Sequence, residues 1–172
     1  FLMQWLEGET LGQRIVRAEE FAAVRPQLAR ECGEILGRIH ALDWRAAGLP
    51  VAFTRHDSLE ADSPLKFSLP TGAQKPGFEP AADDIVVSKD VNSGFIGTDL
   101  EIQLRRKGIK RLVIVGFFTN MCIETTTRMA GNLGFDTYLV PDCCATTNRI
   151  GLDGADYDAE LVHDMTIANL HG

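Results

Sequence analysis

The chain has 172 residues, 45% of them hydrophobic and 24% charged, which is enough for one globular domain with a real core. A formal net charge of −7 leaves no concentrated basic field for phosphate-backbone contacts, so a nucleic-acid partner is not expected. No apolar run approaches the roughly 20 residues of a membrane helix, and Phe1-Leu2-Met3-Gln4 lacks the basic start and cleavage site of a secretory signal. The expectation is a cytoplasmic protein with no membrane partner.

In chain order, residues 1–6 read as a short apolar strand, Glu7-Gly8-Glu9-Thr10 as a turn and residues 11–17 as a short helix. Over 25–42 the spacing of Leu28, Cys32, Ile35, Leu36, Ile39 and Leu42 predicts an amphipathic helix. Gly48-Leu49-Pro50 punctuates the chain before a short buried strand over 51–54. Residues 57–84 carry Pro64, Pro70, Pro76 and Pro80 with Gly72 and Gly77, a long ordered loop of the kind that often serves function. A strand follows at 85–87. Thr98-Asp99-Leu100-Glu101 is a capping box opening a helix to about Lys107, with Gly108 as its stop. Residues 111–116 read as a central parallel strand, apolar on both faces. A helix over 121–133, a strand over 137–140 and a last helix over 155–170 complete the pattern. Strands alternating with helices, without tight hairpin signals, predict an α/β sheet with right-handed crossovers.

Cys32, Cys122, Cys143 and Cys144 include no CxxC pair, and no His is spaced for zinc, so neither a disulfide framework nor a structural metal site is expected. Cys32 belongs to an apolar helical stripe, and Cys143-Cys144 follow a strand without a helix start. Cys122 differs. It lies where the chain leaves the strand 111–116 and enters a helix, beside unpaired N–H groups and the positive end of the helix dipole, a setting that stabilises a thiolate. Lys89 follows the strand 85–87 at the same end of the sheet and adds a cation there. On placement alone Cys122 is a nucleophile or, like most free cysteines, a small buried hydrophobe.

The wider pattern is more specific. Thr54-Arg55-His56-Asp57-Ser58, Val87-Ser88-Lys89, Ser93-Gly94-Phe95-Ile96-Gly97-Thr98-Asp99-Leu100, Gly116-Phe117-Phe118-Thr119-Asn120-Met121-Cys122, Thr125-Thr126-Thr127-Arg128 and Asp142-Cys143-Cys144-Ala145-Thr146 occur in order and spacing. Over 48–172 they resemble the isochorismatase-like cysteine hydrolase family. The resemblance implies a Rossmann-like parallel sheet with flanking helices, and hydrolysis of a small amide or ureido C–N bond through a thioester. It implies an Asp, Lys and Cys triad whose second and third members are Lys89 and Cys122, a cis peptide at Phe117-Phe118, and an oxyanion site formed by the N–H groups of Phe118 and Cys122. His56 and Asp57 end a strand facing the same pocket. Some family members bind a metal near here, but only one His is local, so no metal and no cofactor are expected. His56, Asn92, Ser93, Phe95 and Phe117 are read as pocket residues. His163 and His171 are read as packing or solvent-facing, and His40 as a helix-end residue. The partners expected are a small-molecule substrate and further copies of the chain.

The triad's Asp is not found before residue 48, so the first strand of the family looks replaced. Residues 1–43 instead resemble the interlobe strand and following helices of aminoglycoside-phosphotransferase-like kinases, without the glycine-rich loop, phosphate-binding Lys or catalytic Asp that phosphotransfer needs. The chain then reads as an N-terminal segment 1–47 of different origin joined to a domain over 48–172, with the seam near 43–48. The absence of an initiator Met and the abrupt end at Leu170-His171-Gly172 fit a fragment. Two functional expectations follow. Residues 2–6 fill the vacant strand and bring Glu7 or Glu9 as a substitute acid, or the site is incomplete and the fold serves as a binding or assembly module of weak or absent turnover.

Overall fold

The computed structural model describes residues 48–74 and 79–171. The strand predicted over 1–6, the helices over 11–17 and 25–42, Cys32, His40, Glu7 and Glu9 lie outside the described residues. Packing divides the chain into Phe1–Leu49 and Pro50–Gly172, and the elements below belong to the second unit.

β-branched and aromatic side chains form β1, Ala52–His56, which pairs in parallel with β2, Ile85–Lys89. The register sets Ala52 opposite Ile85 and His56 opposite Lys89. The ladder is prolonged by Ile85 N–H to the Val51 carbonyl at 2.9 Å and by Asp57 N–H to the Lys89 carbonyl at 2.8 Å. Ile85, Val87 and Lys89 point inward while Val86 and Ser88 are exposed, the period-2 alternation of a strand with one covered face. β1 is longer and less buried than predicted, because Ala52 and Thr54 meet solvent.

Helix α1, Leu100–Arg106, ends at Gly108, whose φ of 69° suits a residue without Cβ. The predicted capping box does not close. Thr98 Oγ1 donates to the Gly94 carbonyl at 2.6 Å, and Glu101 turns forward to Arg105 Nε at 2.7 Å, the favoured i,i+4 pairing, rather than back to Thr98. β3, Arg111–Phe117, pairs in parallel with β4, Asp136–Ala145. Between them lie a π-helical turn, Thr119–Ile123, and helix α2, Glu124–Asn132. The architecture is thus α/β, with parallel sheets and flanking helices; among the described residues the strands form separate pairs β1-β2 and β3-β4.

Three predicted boundaries move. Cys143 and Cys144 sit inside β4, because that strand runs on to Ala145 beside Phe117. Residues 149–157 make a small antiparallel pair, β5, Arg149–Ile150, and β6, Asp156–Tyr157, around a turn in which Gly151 N–H donates to the Ala155 carbonyl at 2.8 Å. The last helix, α3, therefore starts at Ala159 and ends at Leu170, with Asp158 as N-cap accepting from Leu161 N–H at 2.8 Å.

The core joins both parallel pairs. Ile85 and Val87 of β2 meet Leu100 and Leu104 of α1, Ala130 of α2 and Phe135, with Leu112 and Ile114 of β3 packed against them. The other face of β3 does not share this cover: Val113 is 64% and Phe117 69% exposed, so the strand predicted to be enclosed on both faces is packed on one. Leu104 is 3% exposed and Ile102, on the same helix, 53%. Leu104→Ala should lower the free energy of unfolding by about 2–5 kcal/mol. Ile102→Ala should change it by less than about 1 kcal/mol, both read from urea denaturation midpoints.

Candidate functional site

Two strand ends and one helical turn converge at Cys122. β2 ends in Lys89, which is 5% exposed although it carries an ammonium. Burying that charge is costly unless its protons are matched, and here all three have acceptors. Lys89 Nζ lies 2.8 Å from the Val91 carbonyl, 3.2 Å from Cys122 Sγ and 3.3 Å from His56 Nδ1. Asn92 Oδ1 stands 3.9 Å from the sulfur, at the limit of an S–H contact.

Cys122 is half-buried in the π-helical turn, not in the first turn of an α-helix as predicted. The cause is the Phe118 carbonyl, which accepts from Met121 N–H at 3.1 Å and Ile123 N–H at 3.2 Å and so widens the turn. The Phe117-Phe118 peptide is cis. The turn is held from three sides. Fully buried Thr119 meets His163 Nδ1 of α3 at 3.0 Å, Thr146 Oγ1 donates to Asn120 Oδ1 at 2.6 Å, and α2 continues it directly. His163, read from sequence as packing or solvent-facing, packs through this hydrogen bond, and His171 is exposed after α3.

The segment after Lys89 is clamped at Gly94. Its N–H donates to Thr126 Oγ1 of α2 at 3.0 Å, and a Cβ there would stand 3.1 Å from Thr54 Cγ2 and 3.3 Å from Thr126 Cγ2, closer than nearly all real contacts. This closeness brings the loop carrying Asn92 over α2 and beside Cys122. Thr126 and Gly94 were legible in the sequence only as motif letters, and their part in placing Asn92 was not.

Other predicted pocket residues go elsewhere. Ser93 is buried and accepts from Phe95 N–H at 3.2 Å. Phe95 turns into the core, stacked on Phe135 with ring centroids 5.9 Å apart, because the loop doubles back toward α1. Phe117 is exposed on the open face of β3. Asp57, expected to face the pocket with His56, points the opposite way, as strand alternation requires. It accepts from Phe67 N–H at 3.0 Å and lies 3.5 Å from Lys66 Nζ.

Electrostatics separate the titratable groups. Burial, then the Lys89 charge, hold His56 below the ordinary imidazole value of 6.5, against the opposing pull of the Val91 carbonyl, Asp90 and Asp57. Because the ammonium beside it can only donate, Nδ1 is the acceptor in the Lys89 contact. Burial pushes the Cys144 thiol up, the state of an inert structural cysteine. Among the described residues no carboxylate pairs with Lys89 or hydrogen-bonds Cys122, no group of three or more His, Cys, Asp and Glu is arranged to hold a metal ion, and no helix is long and apolar enough to cross a membrane. An open depression of about 270 Å³ between β4 and α3, lined in part by Asp142, Cys144, Glu160 and His163, does not include Cys122. The Lys89–Cys122 contact lies outside that hollow.

Comparison with known proteins places these residues in a family context. The Isochorismatase domain family model matches residues 19–167, beginning well before residue 48. An uncharacterized isochorismatase family protein of Bacillus subtilis is 40% identical over 131 residues, covering 74% of this chain and 68% of that protein. The crystal structure of a putative hydrolase of the isochorismatase family from Chromobacterium violaceum superposes with a TM-score of 0.70 at 42% identity, over 86% of this chain and 74% of that one. A ureidoacrylate amidohydrolase of Acinetobacter baylyi is 41% identical over 66 residues, 38% of this chain and 27% of that protein.

The Asp57 contacts make a test of how the long loop is anchored. The Phe67 N–H, then Lys66, hold the Asp57 carboxyl below its ordinary 3.8. Because the folded value is depressed, the anchor is complete above pH 3.8 and is lost as pH falls through the lowered value. At pH 8 Asp57→Ala should speed tryptic cleavage after Lys66 several-fold without changing cleavage after Arg128, as read by peptide mapping.

Proposed function

Because the chain belongs to the isochorismatase family, we propose that it is a cysteine hydrolase cleaving a small amide or ureido C–N bond through a thioester on Cys122. The observation that carries this reading is the 3.2 Å contact between the buried ammonium of Lys89 and Cys122 Sγ. An ammonium beside the sulfur favours the thiolate, which is the nucleophilic form.

In the first half-reaction the thiolate adds to the substrate carbonyl carbon, and its oxygen takes up negative charge. The N–H groups of Phe118 and Cys122 are the donors assigned to that oxyanion, a role worth about 3–4 kcal/mol per donor elsewhere. The C–N bond breaks as the nitrogen takes a proton and leaves as an amine or ammonia, with Lys89 the nearest donor to the sulfur. Water then attacks the thioester, releasing the acid and restoring the thiol group. The similarity to a ureidoacrylate amidohydrolase supports a ureido or carboxamide substrate. His56 and Asn92 flank the reacting atoms from β1 and the Gly94-clamped loop. The chain is read as cytoplasmic, acting on a small molecule and associating with further copies of itself.

A second reading has its own observation. Among the described residues no carboxylate reaches Cys122 or Lys89, and such a group ordinarily moves the proton in the family. On that reading the chain acylates and stalls, or serves as a binding module. Incubation with a panel of primary carboxamides and ureido acids should give Cys122-dependent product, with Cys122→Ser reducing the rate at least about 10³-fold. Intact mass separates the readings. One equivalent of acyl adduct without further product marks the impaired form, and neither adduct nor product across the panel sinks the hydrolase reading for those substrates.

A further inference from the structure

Lys89 touches one titratable side chain that the hydrolytic chemistry above gives no proton role. Its ammonium carries three protons and no acceptor lone pair, and its third neighbour is His56 Nδ1 at 3.3 Å. That contact is a hydrogen bond only when Nδ1 is unprotonated, with the imidazole proton on Nε2. We propose that His56 is a positioning residue for the Lys89–Cys122 pair: neutral, it holds the third ammonium proton and fixes Nζ against the sulfur; protonated, it expels Lys89 and lowers the reactivity of Cys122.

The backbone leaves His56 and Lys89 no freedom to separate. They are register partners at the ends of two parallel strands, and the bond from Asp57 N–H to the Lys89 carbonyl at 2.8 Å closes the ladder just beyond them. Partners in a parallel ladder project to the same side, so an imidazolium would place an N–H directly against an N–H. Two unit charges so close repel strongly in a site with little water. Lys89 is the group that can yield, since its stem is long and flexible while the ring is stiff. The groups bearing on the His56 proton are all at hand. Lys89 opposes protonation from β2, Asp90 and the Val91 carbonyl favour it from the following segment, and Asp57 favours it from the next position of its own chain but is turned toward Phe67 and Lys66. Burial adds to the effect of Lys89, and the balance leaves the ring neutral at pH 7.

The inference rests on the Lys89–Cys122 pair of the proposed function, but its test does not need turnover. Iodoacetamide alkylation of Cys122 is followed between pH 5 and 8.5 on the tryptic peptide 112–128, which contains no other cysteine. Because protonation of His56 subtracts from the reactivity, the logarithm of the wild-type rate should fall more steeply on the acid side than that of a variant that cannot titrate at this position, with the extra steepness ending at a break below pH 6.5. His56→Asn offers an amide oxygen in place of Nδ1 and cannot titrate. It should lack the extra acid-side steepness and recover most of the reactivity lost in His56→Phe, which at pH 7.5 should alkylate about tenfold more slowly. A wild-type profile that runs parallel to that of His56→Asn on the acid side overturns the proposal, and this reading is available even if His56→Phe fails to fold. Absence of both acyl adduct and amide hydrolysis with the break present sinks the proposed function for the substrates tried and leaves this inference standing, whereas hydrolysis without the break does the reverse.

Discussion

A buried ammonium is the constraint around which this site is arranged. Lys89 sits at 5% exposure with a positive charge, and no carboxylate among the described residues neutralises it. Its stability there depends on geometry, with three acceptors drawn from β1, from the segment after β2 and from the turn before α2. Each acceptor constrains the element that carries it. The strands must keep register so that His56 stays opposite, the chain must fold back at Val91, and the turn before α2 must present the Cys122 sulfur. Removing any one would leave a buried proton unmatched, an outcome more costly than the bond itself is worth.

The elements that support this arrangement act indirectly. Helix α1 and Phe135 fill the space under β2 and β3, so the inward row Ile85, Val87 and Lys89 changes from apolar to charged only at its last position. Thr119 and His163 fasten the Cys122 turn to α3, and Gly94 lets the loop after Lys89 press on Thr54 and Thr126. Catalytic geometry of this kind resides in close packing as much as in the reacting groups, since a displacement of 1 Å is enough to spoil it.

Much of the fold was legible because its signals are local. The runs Ile85-Val86-Val87 and Arg111-Leu112-Val113-Ile114-Val115 are strands on composition alone, and Gly108 stops its helix where expected. The nearness of Cys122 to Lys89 is legible from their places after two strands, and the two meet at 3.2 Å. What stayed hidden depends on competition or on register. Glu101 had two partners within reach and took Arg105. Two-residue strands such as Arg149–Ile150 have no period to read. Phe95 stands close to Lys89 in sequence, but the chain reverses and delivers its ring to Phe135 instead. The His56–Lys89 contact needs the exact pairing of two strands separated by a 28-residue connection, 57–84, and no local pattern encodes that.

The three side chains that meet at Nζ are spread evenly along the chain: 33 residues separate His56 from Lys89, and another 33 separate Lys89 from Cys122. Two long loops must therefore close before the ammonium has its acceptors, and neither closure is rewarded until the strands have paired. No excised peptide around Cys122 can inherit the site, since a segment short enough to be local contains at most one of the three. The Lys89 cluster is a property of completed tertiary structure. In evolutionary terms, loop insertions between these positions are cheap, whereas a one-residue slip of β1 against β2 turns His56 to the opposite face of the sheet.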